Sequence, residues 1–285
     1  MSQSWVFQFA VAERQTVLQN KELSTFAYIP CATENPGREG APLQILSMNM
    51  NDETRAQYRL DPASLHSWQP VDEFVAVPKI TFSRIAFLSS HAGSAAKRVI
   101  AACGQELAAE PVIIVSNNPG SQILEYAKEV GIVHELINIA VCGSEAAVQE
   151  RILERFTELK VDLVVLSGYM KKLGTTVISR YAGRILNIHP ALLPKYGGQG
   201  MYGIHVHQAV IQAGDYETGI TIHQVNQNYD EGPIVARLKV PVCCGDTPDI
   251  LAKRVKDQEP LFLVRTLVEI QRRAIAAKTN PYDVS

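Results

Sequence analysis

The sequence predicts an α/β protein: a doubly wound, mostly parallel sheet with a small β-rich module ahead of it. Three observations lead there. From Ile85 onward, short apolar runs alternate with longer helical stretches, the pattern of strands joined by crossover helices. Each run is nearly continuous in apolar residues, as expected of strands covered on both faces. The first eighty residues break the pattern: they hold both tryptophans, Trp5 and Trp68, and short strand-like runs such as Trp5 to Val11 and Leu43 to Met48, punctuated by Pro, Asn and Glu.

Taken in order, Ile85 to Leu88 reads as a strand and Ala95 to Cys103 as a helix, followed by Val112 to Val115 and Ser121 to Val130. Glu145 to Leu159 leads into Leu163 to Leu166, and Thr175 to Tyr181 into Ile185 to Ile188. Thr218 to Val225 and Ile234 to Val242 are extended segments joined through the turn-forming Asn228 to Gly232, which predicts an antiparallel pair beyond the parallel part. The last element runs from about Asp249 to Ala277. Asp246 and Thr247 stand as caps before it, Pro248 takes a first-turn position, and Leu251, Val255, Leu261, Val264, Leu267 and Ile270 form its apolar face. Pro260 lies inside, so a kink or two helices is expected. Pro78-Lys79-Ile80-Thr81 is the expected joint, giving an accessory module over residues 1–80 and a catalytic domain over residues 81–285.

The chain has 285 residues, 46% hydrophobic and 20% charged, enough for an ample core. A net charge of -2 gives no electrostatic reason to expect nucleic acid or a membrane surface as partner, so small molecules are the expected ligands. The apolar runs are too short for a spanning helix and the N-terminus does not read as a leader, which predicts a cytoplasmic protein. Five cysteines without a CxxC pair point to reduced thiols.

The chemistry gathers at Asn187-Ile188-His189-Pro190-Ala191 and, some forty residues later, Asp230-Glu231-Gly232-Pro233. On a strand, Asn187 and His189 project to the same side, at the carboxyl end where open α/β sheets bind ligands. Pro190 ends the ladder, and a loop rich in glycine follows (Gly197, Gly198, Gly200, Gly203), a composition that suits a lid. An Asn amide can donate to an oxyanion, a His can donate to it or relay a proton, and Asp230 can orient the His or accept the proton. A His and an Asp at this separation also fit a purely structural pairing.

Residues 84 to 270 resemble the folate-dependent formyltransferases, most closely the phosphoribosylglycinamide formyltransferase family. The resemblance is carried by Asn187-Ile188-His189-Pro190-Ala191-Leu192-Leu193-Pro194, by Lys195-Tyr196-Gly197-Gly198-Gln199-Gly200-Met201-Tyr202-Gly203, and by Thr221-Ile222-His223 leading to Asp230. It implies a formyltransferase variant of the Rossmann fold, and attack of a primary amine on the formyl carbon of 10-formyltetrahydrofolate, with no metal. In that reading Asn187 and His189 hold the oxyanion while Asp230 assists proton removal. It further implies a folate pocket at Tyr169, Met170, Lys171 and Leu173, with Asn228 and Tyr229 across from them; Lys171 stands where the family has arginine. The acceptor side falls to Gly93, Ser94 and Ala95, whose amides can cradle a phosphate at a helix N-terminus, and to Gly198 and Glu259. Ala95 replaces the family's asparagine, and Pro260 follows Glu259 where histidine is usual.

The acceptor expected from the resemblance is glycinamide ribonucleotide, in purine biosynthesis, or a related phosphorylated or sugar amine. A formyltetrahydrofolate hydrolase with an N-terminal regulatory module is the alternative, and a non-catalytic folate- or nucleotide-binding protein is the reading from a different class. His205 and His207, taken at strand spacing near His189 and His223, invite a metal site; such sites need three or four converging ligands, so none is expected. The oligomeric state is open, a homodimer among the options.

Overall fold

The computed structural model describes residues 70–279 together with Leu65. Most of the expected N-terminal module, residues 1–80, lies outside the described residues. The chain builds one eight-stranded sheet in the order β1-β8-β7-β6-β5-β2-β3-β4. Its strands are β1 (Asp72–Phe74), β2 (Arg84–Leu88), β3 (Glu110–Ser116), β4 (His134–Leu136), β5 (Leu163–Leu166), β6 (Ile185–His189), β7 (Glu217–Gln224) and β8 (Ile234–Pro241). The helices are α1 (Ser94–Ala102), α2 (Gln122–Glu129), α3 (Ile139–Cys142), α4 (Glu145–Glu158), α5 (Thr175–Arg180), α6 (Ile204–Gln212) and α7 (Pro248–Thr279).

Strands β4, β3, β2, β5 and β6 run parallel, while β7 and β8 continue the sheet antiparallel, as their turn chemistry predicts. The apolar runs sort their residues by alternation. Ile85, Phe87, Leu163 and Val165 enter the core beneath α1, α2 and α7; Ala86, Leu88, Val164 and Leu166 enter the one beneath α4 and α5. Chain order moves outward from β2 to β3 and β4, then returns to β5 on the other side of β2. Such a reversal opens a crevice at the carboxyl ends of the central strands.

Several features depart from the sequence reading. β1 precedes the expected joint yet pairs with β8, Glu73 opposite Arg237, so the sheet begins upstream of Pro78. Three-residue strands with charged members, such as β1 and β4, carry too little periodicity to be read. α7 is one helix through Pro260, not two. A proline withdraws a single donor, and Leu251, Val255, Phe262, Leu263, Leu267 and Ile270, all fully buried, hold the flanking turns against the sheet. Its inward face also differs: Leu261 is exposed, and Phe262 and Leu263 point inward instead. Among the described residues, Cys103, Cys142, Cys243 and Cys244 are in no disulfide, and Cys31 lies outside them. No helix among the described residues is long and apolar enough to cross a membrane.

Candidate active site

The crevice is a cleft of about 740 Å³. Its floor is the end of β6. Ile185, Leu186 and Ile188 are buried and fix the strand, leaving Asn187 and His189 on the same side at its carboxyl end. The antiparallel register sets His223 of β7 directly opposite Asn187, and Thr221 opposite His189. Thr221 is fully buried; its hydroxyl donates to the Ala191 carbonyl at 2.7 Å and accepts from the Leu193 amide at 3.0 Å. That pair pins the segment leaving β6 before it enters the glycine-rich loop.

Asp230 returns to this floor from the turn after β7, its backbone in the left-handed region at φ 57°. Its carboxylate sits between two imidazoles, 3.6 Å from His189 Nδ1 and 3.5 Å from His223 Nε2. The Gly198 amide donates to the same carboxylate at 2.9 Å, which ties the loop to the turn. The loop must come close for this: a Cβ on Gly197 would lie 2.5 Å from Leu193 Cδ2 and 3.1 Å from Asp230 Cβ, so a side chain there would force the two apart. Gly198 has φ 98°, a conformation open to glycine.

Hydrogen bonds assign the protons. His189 Nε2 lies 2.8 Å from the Tyr196 carbonyl, which can only accept, so Nε2 carries hydrogen and Nδ1 faces Asp230. His223 Nδ1 likewise donates to the Gln224 carbonyl at 2.9 Å. Its Nε2, 3.1 Å from Asn187 Nδ2, then accepts from that amide when the ring is neutral. The second amide hydrogen of Asn187 remains for a ligand in the cleft.

Burial lowers the proton affinity of His189 and outweighs the nearby Asp230 carboxylate, which acts in the opposite sense. Asp230 is held below the usual carboxylate range: burial acts to raise it, and the His223 and His189 rings, when protonated, together with the Gly198 amide prevail. The resting site therefore pairs a neutral imidazole with an ionised carboxylate. Such a pair can take up a proton at His189 Nδ1 and stabilise the imidazolium formed.

The cleft walls collect the remaining residues singled out by sequence. Tyr169, Met170, Lys171 and Leu173 line it from the loop after β5, and Asn228 and Tyr229 from the facing turn. Ser90 locks the first of these walls: its hydroxyl donates to Asn117 Oδ1 at 2.5 Å and accepts from the Met170 amide at 2.8 Å. Lys172 spans the two walls, its ammonium 4.9 Å from the centroid of the Tyr229 ring. Gly93, Ser94, Gly198 and Glu259 also line the cleft. Ala95 does not: its side chain is buried in the core, which leaves only its backbone to meet a ligand. Gly93 is the N-cap of α1, left-handed at φ 60°. Glu259 is raised to about 7 by burial, with Lys256 acting in the opposite sense.

His205 and His207 are both on α6 and not at strand spacing, because the helix begins at Ile204. Two residues apart on a helix they diverge: His205 Nδ1 pairs with Gln208 Oε1 at 3.3 Å, while His207 is buried and lines the cleft. His223 is the member of the cluster to which sequence reasoning gave no catalytic role, naming it within a motif and beside a metal site that was not expected. Its signal was the strand alternation of Thr221-Ile222-His223, which puts Thr221 and His223 on one face; only the register with β6 shows which residues they meet.

The formyl transferase family model matches residues 83–267. The chain is 37% identical over 186 residues to a chloroplastic phosphoribosylglycinamide formyltransferase of Arabidopsis thaliana, covering 65% of this chain and 64% of that protein. It is 36% identical over 176 residues to the phosphoribosylglycinamide formyltransferase of Escherichia coli, covering 61% of this chain and 81% of that one. The crystal structure of the phosphoribosylglycinamide formyltransferase of Bacillus halodurans superposes with a TM-score of 0.62 at 30% identity, over 71% of this chain and all of that one. A formyltetrahydrofolate deformylase from Pseudomonas syringae shares the fold, with a TM-score of 0.60 at 20% identity over 68% of this chain and 63% of that one.

Proposed function

This chain belongs to the formyl transferase family, and on that premise we propose that it transfers the formyl group of 10-formyltetrahydrofolate to the primary amine of glycinamide ribonucleotide, a step of purine biosynthesis. The observation that carries the reading is the convergence of Asn187, His189 and Asp230 on one spot in an open cleft, with a neutral imidazole beside an ionised carboxylate.

Each residue then has a role that its position supports. The amine nitrogen bonds to the formyl carbon, and the carbonyl oxygen gains negative charge. The free N–H of Asn187 meets that charge; its other contact, to His223, holds the amide plane in place. His189 accepts the amine proton at Nδ1, directly or through one water, and the resulting imidazolium is stabilised by Asp230 and can donate to the oxyanion. The carbonyl then reforms as the bond from the formyl carbon to the folate nitrogen breaks, the proton held at His189 passes to that nitrogen directly or through water, and tetrahydrofolate leaves.

Tyr169, Met170, Lys171, Leu173, Asn228 and Tyr229 are assigned to the folate donor. Lys171 offers a point charge where the family's arginine offers a planar fork, so it suits a single contact and not a bidentate one. Gly93, Ser94 and the Ala95 amide are assigned to the acceptor's phosphate at the start of α1, Gly198 to the loop above it, and Glu259 to the acceptor amine. A small-molecule acceptor and a division ahead of the sheet belong to the same reading; since β1 pairs with β8, that division falls before Asp72 and not at about residue 80.

The test is direct. The protein is incubated with 10-formyltetrahydrofolate, with and without glycinamide ribonucleotide, and tetrahydrofolate is followed. Appearance that depends on the amine is expected. Equal appearance with water alone, accompanied by formate, would overturn the transfer reading in favour of hydrolysis.

A further inference from the structure

Asp215 lies in the turn between α6 and β7 and does not line the cleft, yet it holds two consecutive residues of the loop above His189. Its carboxylate accepts from Lys195 Nζ at 2.7 Å on each oxygen, and from the Tyr196 hydroxyl at 2.6 Å. The Lys195 ammonium also sits 5.1 Å from the centroid of the Tyr196 ring. One carboxylate thus anchors both side chains.

Between these anchors the backbone of Tyr196 is left-handed at φ 59°. A bulky residue rarely adopts that conformation, which persists where surrounding contacts enforce it. Its consequence is the direction of the Tyr196 carbonyl, which meets His189 Nε2 at 2.8 Å. An accepting carbonyl at Nε2 keeps the hydrogen there, so Nδ1 is left unprotonated toward Asp230. Were the carbonyl to turn away, the hydrogen would move to Nδ1, where the Asp230 carboxylate would accept it. The imidazole would then have no vacant nitrogen at the reaction centre.

We propose that Asp215 is a positioning residue: through Tyr196 it fixes His189 in its Nε2–H tautomer and so reserves Nδ1 for proton exchange in the cleft. The effect on turnover rests on the formyl transfer reading; the tautomer itself does not.

The experiment reads both. Long-range proton–nitrogen NMR of histidine-labelled protein, with the His189→Gln spectrum for assignment and recorded at mildly alkaline pH, distinguishes the protonated from the bare ring nitrogen. In the wild type Nε2 is expected protonated and Nδ1 bare. In Asp215→Ala the two tautomers are expected to mix or reverse, with kcat falling about 10- to 100-fold, the range that follows loss of the outer partner of a metal-bound imidazole. Asp215→Asn, whose amide oxygen can still accept from the Tyr196 hydroxyl, is expected to recover part of both. Tyr196→Phe, which deletes one oxygen, makes the same measurement should Asp215→Ala not fold. A folded Asp215→Ala or Tyr196→Phe protein with His189 still wholly in the Nε2–H form would overturn the proposal. A tautomer change in protein that shows no formyl transfer would support it while refuting the functional reading, so the two failures are distinguishable.

Discussion

Replacing Asp230 by asparagine isolates the charge at the centre of the site, because the amide keeps an oxygen to accept the Gly198 N–H. The carboxylate lies 3.6 Å from His189 Nδ1, and the two side chains are 12% and 5% exposed, so solvent screens the pair weakly. At an effective dielectric near 20, unit charges at that separation attract by about 4–5 kcal/mol. Part of this is offset by the desolvation the pair must overcome. About 3–4 kcal/mol would be lost from the state in which His189 carries its transient proton, and at about 1.4 kcal/mol per tenfold the barrier would rise by ~10²–10³. The loss should fall on kcat. The folate donor should still bind, since the loop after β5 is untouched. The assay is the initial rate of tetrahydrofolate appearance at saturating substrates, with a thermal melt to establish that the variant is folded. A folded Asp230→Asn protein turning over within about tenfold of the wild type would refute the imidazolium–carboxylate argument.

Other expectations follow from the same geometry. Asn187→Ala removes the proposed oxyanion donor and should lower kcat by ~10²–10³ with folding retained, measured by the same assay alongside a melt. Glu259, raised to about 7 by burial, should make the KM of the amine acceptor fall as pH rises through about 7, where the carboxylate ionises; Glu259→Gln should abolish that dependence. Burial lowers His207 from 6.5 to about 4, so the folded chain binds fewer protons between these values. Its stabilising contribution is complete above 6.5 and lost as pH falls through about 4, amounting to about 3 kcal/mol; urea unfolding against pH should show the loss, and His207→Gln should flatten it. Arg254 and Asp246 form a buried pair at 2.7 Å that ties the start of α7 to the end of β8, and Arg254→Ala should cost about 3–5 kcal/mol in urea unfolding because it leaves the buried Asp246 charge with the Cys243 amide but no counter-ion.

The sequence by itself determined most of the strand and helix alternation from Ile85 to Ile188, β4 and α3 excepted, since apolar runs such as Leu163 to Leu166 fit strands buried on both faces. It also placed two polar side chains together at the end of β6. Asn187 and His189 share a strand face by alternation alone, and the proline and glycines that follow mark a loop. Tertiary structure decided everything that depends on which chain segments meet. The opposition of His223 to Asn187 is a matter of register between β6 and β7, invisible in either strand. The proton positions on His189 follow from a carbonyl seven residues away, whose direction depends on Asp215 a further nineteen along. The course of α7 through Pro260 was likewise settled by burial, because tertiary packing of one face outweighs the single hydrogen bond a proline removes. Local propensity acts over a few residues, whereas proton affinity and tautomer respond to every charge and dipole within a few ångströms, whatever its distance along the chain.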